Sequence, residues 1–125
     1  MTTQEVANRL VDLCKQAKNF DAMQELYADE IVSVEPNPGA AASREVSGKA
    51  AVIQKSADWA QSVEIHGGGV EGPFLANDQF AVIFDISYTP KTTGRRVEFR
   101  EIGLYTVANG KITREEFLIL GGGVR

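Results

Sequence analysis

Three glutamates occupy positions from which they could perform acid/base chemistry. Glu35 ends the first predicted strand, whereas Glu101 and Glu115 share the period-two faces of later strands with Phe99 and Phe117, respectively. Burying carboxyl groups close together raises the pKa of one of them, so that one group can donate a proton while another accepts one. These three glutamates are therefore the leading candidates for catalysis.

The same glutamates also allow a structural interpretation, in which each is solvated or paired with an arginine. Arg100 and Arg114 each adjoin one of the later glutamates in the sequence, and are the candidate partners. A salt-bridged surface glutamate needs no catalytic role. The catalytic and the structural interpretation of these glutamates are both consistent with the sequence.

His66 and Cys14 are the single histidine and the single cysteine. Histidine titrates near neutral pH, so His66 is a further candidate for catalysis, with a surface or hydrogen-bonded role as the alternative. Cys14 lies on the apolar stripe of the first predicted helix and is expected to pack in the core. No metal-binding spacing such as H-x-x-x-H or C-x-x-C occurs, so we expect neither a metal site nor a cofactor.

Aromatic side chains are candidates for lining a pocket that binds a small hydrophobic molecule. Packing in the hydrophobic core is the alternative for each of them. One of them, Tyr105, is also a candidate to assist proton transfer. The candidate ligand-binding residues are Trp59, Phe84, Tyr88, Phe99, Tyr105 and Phe117.

Composition excludes several functional classes. The 125 residues are 43% hydrophobic and 24% charged, which indicates one folded domain over residues 1–125. The net charge of -4 provides no basic surface, so nucleic acid is not an expected partner. Apolar runs fall far short of the roughly 18 residues of a membrane span, so we expect no membrane partner. With no leader-like segment and no cysteine pair, a cytoplasmic location is expected.

Hydrophobic periodicity predicts the elements that position these residues. Helical spacing predicts three helices in the first half of the chain, over residues 3–18, 21–27 and 47–60. Period-two spacing predicts strands over residues 31–34, 63–71, 80–88, 97–107 and 111–120. The triple glycine at 67–69 predicts a bulge, and Asn109-Gly110 predicts a two-residue hairpin turn. Helices followed by an antiparallel meander predict an α+β fold with helices covering the concave face of a curved sheet.

The convex face of the predicted sheet remains partly apolar. Ile83, Ile102 and Leu104 alternate with the inward-facing residues and therefore point away from the helices. An exposed apolar sheet face is typical of a subunit interface. We therefore expect a homodimer formed through this outer face.

Six short segments, taken in order and spacing, resemble the nuclear transport factor 2-like superfamily, in its SnoaL-like and ketosteroid-isomerase-like branch. The segments are Phe20-Asp21, 25–30, Val34-Glu35-Pro36, 47–52, 104–107 and Gly110-Lys111-Ile112. The resemblance covers nearly the whole chain. It implies a cystatin-like α+β barrel, which is a cone-shaped curved antiparallel sheet with three N-terminal helices over its concave face.

The resemblance also implies a role for Glu35, which falls where ketosteroid isomerases carry their proton-transferring aspartate. In that chemistry a carboxylate removes a proton beside a carbonyl group. Those isomerases stabilise the enolate oxygen with a tyrosine and a protonated aspartate, and the corresponding positions here are Val11 and Gly103. Steroid isomerisation is therefore not expected, although the base is retained.

Members of the superfamily include isomerases, cyclases, epoxide hydrolases and dehydratases, together with proteins that only bind or dimerise. The first hypothesis is a cofactor-free isomerase, cyclase or hydratase that acts on a small hydrophobic substrate, with Glu35 as the leading acid/base group. The second is a non-catalytic homodimer that binds a small hydrophobic molecule in the same cone. A third is an assembly module whose cone is filled by Phe84, Phe99 and Phe117.

Overall fold

The structure is a computed structural model that describes residues 1–36 and 44–120. Three helices precede most of the sheet, as the periodicity predicts. The helices are α1 (Thr3–Lys15), α2 (Asn19–Leu26) and α3 (Lys49–Ser62). The strands are β1 (Tyr27–Val34), β2 (Glu45–Ser47), β3 (Val63–Ala76), β4 (Gln79–Pro90), β5 (Val97–Ala108) and β6 (Lys111–Ile119).

The strands form one mixed sheet in the order β2-β1-β6-β5-β4-β3. The predicted antiparallel meander is present from β3 to β6, but β1 runs parallel to β6. The prediction of a wholly antiparallel sheet is therefore wrong at this pair. Parallel strands need a long connection, which the segment from α3 to β5 supplies. The sheet is also open, because β2 and β3 are its two edges, and the expected barrel is a curved sheet that does not close.

Local sequence signals explain where α1 begins. Thr2 and Glu5 form a capping box, in which the Thr2 hydroxyl accepts a hydrogen bond from the backbone N–H of Glu5 and the Glu5 carboxylate accepts one from the backbone of Thr2. The buried stripe of the helix, which includes Val6, Leu10 and Val11, packs against the inner sheet face.

Two lysines fix the junction between α2 and β1. The ammonium groups of Lys49 and Lys111 donate hydrogen bonds to the backbone carbonyl oxygens of Gln24 and Glu25, respectively. The last carbonyls of a helix have no intrahelical partner, so these contacts satisfy two of them. The junction sets where Tyr27 and the rest of β1 enter the sheet.

Glycine and asparagine turns set the register of the meander. Asn109 and Gly110 have positive φ angles of 53° and 76°, which confirms the predicted hairpin turn between β5 and β6. β3 has register shifts between Ile65 and Gly67, where the triple glycine begins, and between Glu71 and Phe74. These bulges bend the edge strand, which continues to Ala76 rather than ending near Glu71.

The three-residue strand β2 was not predicted, because three residues are too few for a period-two pattern to emerge. Its pairing with β1 and the positive φ of Gly48 place the start of α3 at Lys49. Residues 37–43 of the predicted loop after Glu35 lie outside the described residues.

Residues on the inner sheet face are more deeply buried at one end of the strands than at the other. Phe80, Val82 and Tyr105 lie in the fully buried core under α1, whereas Tyr88 and Phe99 are only half-buried. Glu101 lies between these two regions on β5. None of the helices in residues 1–36 and 44–120 is long and apolar enough to cross a membrane.

Candidate functional site

Glu115 is the most deeply buried of the three candidate glutamates, with 2% of its surface exposed. It lies on β6 directly opposite Tyr105 of β5. Its carboxylate accepts a 2.6 Å hydrogen bond from Ser33 Oγ and a second hydrogen bond from the hydroxyl of Tyr27. Burial raises the pKa of Glu115, and the hydrogen bonds from Ser33 and Tyr27 oppose that rise. The inner end of the site is therefore a fully hydrogen-bonded buried carboxyl group.

Ser33 connects this buried carboxyl group to Lys55 of α3. The Lys55 ammonium donates hydrogen bonds to Ser33 Oγ at 2.7 Å and to Glu35 Oε1 at 2.8 Å. Ser33 is completely buried, whereas the side chains of Lys55 and Glu35 are 26% and 35% exposed. The hydrogen-bond network thus extends from solvent at Glu35 to the core at Tyr27.

Glu101 lies on the inner face of β5, opposite Phe84 of β4. Burial raises its pKa to about 8, and the negative charges of Glu35 and Glu115 add to the rise, while the Lys55 ammonium opposes it. Glu101 is therefore protonated at neutral pH. It lies close enough to the other two glutamates for their charges to influence its ionisation, so the structure brings the three candidate acids together.

The predicted arginine partners are wrong. Arg100 forms ion pairs with Asp85 and Glu71, and Arg114 forms one with Glu116. These arginines alternate with the candidate acids along β5 and β6, so they face the opposite side of the sheet. The structural interpretation is nevertheless partly correct for Glu35, because this glutamate is ion-paired, with Lys55.

The predicted ligand-binding aromatics divide into two groups. Tyr105 is 2% exposed and stacks on Phe80 with ring centroids 4.9 Å apart, and Phe117 packs edge-on against it at 6.3 Å. Burial and the charge of Glu115 raise the pKa of Tyr105 well above its ordinary value. Phe84 is also buried. Phe84 and Tyr105 therefore pack in the core, with Phe117 at its margin.

Trp59, Tyr88 and Phe99 form the second group, a chain of edge-to-face contacts at the open end of the inner sheet face. Their ring centroids are 5.1 Å apart for Trp59 and Tyr88, and 5.7 Å apart for Tyr88 and Phe99. Trp59 is 39% exposed. Burial and the charge of Glu101 raise the pKa of Tyr88, which places this partly exposed aromatic cluster beside the candidate acids.

His66 and Cys14 lie outside the glutamate network. His66 is exposed on the edge strand β3, where its Nε2 lies 2.6 Å from Thr89 Oγ1 and its Nδ1 lies 4.0 Å from Glu64. Cys14 packs against the core, as predicted, and burial raises the pKa of its thiol to about 11, so it is not ionised at neutral pH. Within the described ranges, no group of three or more His, Cys, Asp or Glu side chains could hold a metal ion.

The two positions that carry oxyanion donors in ketosteroid isomerases are apolar and filled here. Val11 is 3% exposed in the core. A Cβ atom on Gly103 would lie 2.9 Å from Cε2 and 3.0 Å from the hydroxyl oxygen of Tyr105. The Tyr105 ring therefore occupies the space that a side chain at position 103 would need.

Sequence reasoning missed Lys55, Ser33 and Tyr27. Lys55 follows the fully buried Val52 by one helical turn, so helical spacing would have placed it on the inner face. Ser33 alternates with Ile31 and therefore shares its inward direction. Tyr27 lies at the junction of α2 and β1, where neither period applies.

A shallow depression of about 290 Å³ lies elsewhere, between the start of β1 and the β5–β6 turn. Asp29, Lys49 and Lys111 are among its lining residues, and none of the three candidate glutamates lines it. Tyr27, which also lines it, is the one member of the acid network that reaches this depression.

Comparisons with known proteins agree with this architecture. A family model described as a SnoaL-like domain matches residues 1–119. A solved structure from Mesorhizobium loti is 46% identical, covers 94% of this chain and 99% of its own, and superposes with a TM-score of 0.89. That protein is described as a candidate SnoaL-like polyketide cyclase, with the additional description carbohydrate phosphatase.

More distant structures share the fold alone. A candidate SnoaL-like polyketide cyclase from Jannaschia sp. CCS1 is 18% identical over 94% of this chain and 84% of its own, with a TM-score of 0.72. A Xanthomonas campestris protein of unknown function with a cystatin-like fold is 15% identical over 95% and 91% of the two chains, with a TM-score of 0.76. Comparison with curated proteins gives no significant match. The family model and the Mesorhizobium loti structure together establish that this chain belongs to the SnoaL-like family.

Proposed function

We propose that this protein is a cofactor-independent acid/base enzyme that moves a proton at a carbon beside a carbonyl group, in an isomerisation or cyclisation of a small hydrophobic substrate. The observation that carries the proposal is the position of the Glu101 carboxyl group, partly buried on the inner face of β5 beside the ion pair of Glu35 and Lys55, where burial raises its pKa to about 8. One carboxyl group holds its proton at neutral pH while its neighbour is ion-paired with an ammonium group. General acid/base catalysis requires this combination.

The exposure of each carboxyl group supports its proposed role. The side chain of Glu35 is 35% exposed and that of Glu115 is enclosed, so the Glu35 carboxylate is the base that takes the proton from carbon. The C–H electron pair then forms the enolate, and protonated Glu101 supplies a proton to the substrate. Glu115 is enclosed by Ser33 and Tyr27, and it supports the site from within rather than touching the substrate.

The surroundings of the acids support an apolar, uncharged substrate. The Trp59–Tyr88–Phe99 cluster provides a partly exposed aromatic surface beside Glu101. A phosphate ester would bring about two negative charges to three carboxyl groups, whereas Lys55 offers a single ammonium group, so a doubly charged ligand is unfavourable here. The polyketide cyclase description of the Mesorhizobium loti relative therefore fits this site better than its phosphatase description.

A binding protein without catalytic activity is the second candidate. One observation favours it: in the described part of the chain, every buried side-chain nitrogen and oxygen atom has a hydrogen-bond partner. A fully satisfied network is stable by itself and can orient a ligand without transferring a proton. Such a protein would bind ketones at the aromatic cluster and leave their hydrogens unexchanged.

Hydrogen–deuterium exchange at carbon separates the two candidates. Aryl methyl ketones and aryl β-ketoesters incubated with the protein in D2O should lose α-hydrogen faster than in buffer, as followed by proton NMR. Glu35→Gln should lower the protein-dependent rate on the order of 10² to 10⁴-fold. Glu116→Gln is the matched control, because Glu116 pairs with Arg114 on the outer face. Binding of these ketones without exchange would contradict catalysis and favour the binding protein.

We also propose that two copies associate through the outer sheet face. Ile83 and Ile102 are cross-strand neighbours there, and Ile102 also lies opposite Leu118, which is 44% exposed. The charged groups around them are already paired within the same chain, so the apolar residues are available for a self-complementary contact. Ile102→Lys should convert a dimer to a monomer in analytical ultracentrifugation. Ile65→Lys, at an exposed position on the edge strand, should not. A monomeric wild-type protein would contradict this interface.

A further inference from the structure

Lys55 has an unused hydrogen-bond donor at the entrance to the acid network. An ammonium group has three N–H donors. Two of them bind Ser33 Oγ and Glu35 Oε1, and the structure gives the third no acceptor in residues 1–36 and 44–120. The side chain remains 26% exposed, so the donor is accessible to a ligand.

The acidic groups that interact with the charge of Lys55 come from β5, from β6 and from the residue after β1. Glu35 follows β1, Glu101 projects from β5 and Glu115 projects from β6. Arg44 is the other nearby cation, and its guanidinium donates to the backbone carbonyl oxygen of Glu35 at 2.8 Å. Glu101 is protonated at neutral pH, so the counter-charge that Lys55 contacts directly is the Glu35 carboxylate.

Proton transfer would shift the negative charge that pairs with Lys55 from Glu35 to the substrate. When Glu35 takes a proton from carbon, the Glu35 carboxylate becomes neutral, and the carbonyl oxygen of the substrate gains the negative charge. An ammonium group within reach of both oxygens has an anionic partner before and after the step. Such a preorganised charge stabilises the transition state without reorganisation.

We propose that Lys55 binds the reacting oxygen of the substrate, donating its third N–H to a carbonyl oxygen that becomes an enolate oxygen. This inference rests on the proposed function, because it takes Glu35 as the base. It assigns an oxyanion donor to a site whose positions 11 and 103 provide none. The substrate class is then enolisable ketones, β-dicarbonyl compounds and phenols, all of which place negative charge on oxygen.

A chromogenic phenol tests this assignment without knowledge of the substrate. 4-Nitrophenol changes colour on ionisation, so absorbance reports which form is bound, and quenching of the single tryptophan, Trp59, reports occupancy. Glu35→Gln, whose neutral side chain reproduces the enolate state, should bind the phenolate about tenfold or more tightly than the neutral phenol, as expected of a charge-assisted hydrogen bond. The substitutions at Lys55 and Arg44 are compared in this background. Lys55→Met should remove this preference, whereas Lys55→Arg should retain it. Arg44→Gln is the control and should leave the preference unchanged.

The possible outcomes separate this inference from the proposed function. Tighter binding of the neutral phenol by Glu35→Gln, or no binding of phenolate, would overturn the role of Lys55. An unchanged preference in folded Lys55→Met would also overturn it. If Lys55→Met fails to fold, the phenolate preference, its retention in Lys55→Arg and its independence of Arg44 still decide. Unaltered carbon exchange in Glu35→Gln would contradict the proposed function alone, since phenolate binding is measured independently.

Discussion

The hydroxyl of Ser33 donates a 2.6 Å hydrogen bond to the carboxylate of Glu115 at a place where both side chains are buried. The direction of this bond is fixed by chemistry. Lys55 can only donate, so Ser33 must accept from Lys55 and has its single hydrogen left for Glu115. The cation at the surface and the carboxyl group in the core are thus connected through one hydroxyl group.

Ser33→Ala should therefore destabilise the protein. The substitution leaves Glu115 and Lys55 each without one partner, and an unsatisfied buried group costs about 1–3 kcal/mol of the free energy of unfolding. Urea denaturation followed by circular dichroism measures the change. Ser87→Ala is the control, because Ser87 accepts its hydrogen bond from Arg96 at an exposed site, and its effect should remain within about 0.5 kcal/mol. Equal losses in the two variants would argue against a special role for Ser33.

Gly103→Ala should also be destabilising, because the new Cβ would lie 2.9 Å from the buried ring of Tyr105. Overpacking of this kind costs about 1–3 kcal/mol. The melting temperature of the variant should fall accordingly. Gly69→Ala on β3 is the matched glycine control, since its Cβ would make only an ordinary contact, 3.7 Å from Asp85 Oδ2. A stable Gly103→Ala variant would mean that the Tyr105 ring moves aside easily.

Glu101 should make stability fall as pH rises. Its carboxyl group has an ordinary pKa of 4.5 when unfolded and a pKa of about 8 in the folded protein, so the folded state binds more protons between these values. Stability associated with Glu101 is then fully present below about pH 4.5 and is lost as pH rises to about 8, by at most about 1.4 kcal/mol per pH unit.

Comparison with a variant isolates this contribution. Unfolding free energies of wild type and Glu101→Gln, measured from pH 5 to pH 8, should diverge in favour of the variant as pH increases. Glu98→Gln, at an exposed position on the same strand as Glu101 and paired with Arg96 just before that strand, should follow the wild type. Parallel curves for wild type and Glu101→Gln would exclude an elevated pKa.

Sequence periodicity predicted most of the fold because most local signals agreed with the final structure. Thr2 caps the start of α1, and the Asn109-Gly110 turn joins β5 to β6. The two-residue period of β5 places Glu101 and Arg100 on opposite faces of the sheet. The parallel pairing of β1 with β6 was not predictable from these signals, since a strand's hydrophobic pattern does not encode the direction of its neighbour.

The candidate site was predicted less completely. Alternation and resemblance identified Glu35, Glu101 and Glu115, but not the residue that links them. Lys55 was overlooked because a lysine on a short amphipathic helix is ordinarily solvated, and only the tertiary packing of α3 against β1 brings its ammonium to Glu35. The position of the Lys55 ammonium is therefore set by contacts between elements that are distant in the sequence.

Titration of Glu101 tests the central claim most directly, namely that a protonated carboxyl group lies beside a charged one at neutral pH. Carbon-13 NMR of protein labelled at glutamate side-chain carboxyl carbons would follow each ionisation, and the resonance lost in Glu101→Gln identifies the group. We predict a midpoint of about 8 for Glu101. A midpoint near 4.5, its ordinary value, would contradict the proposed acid/base pair.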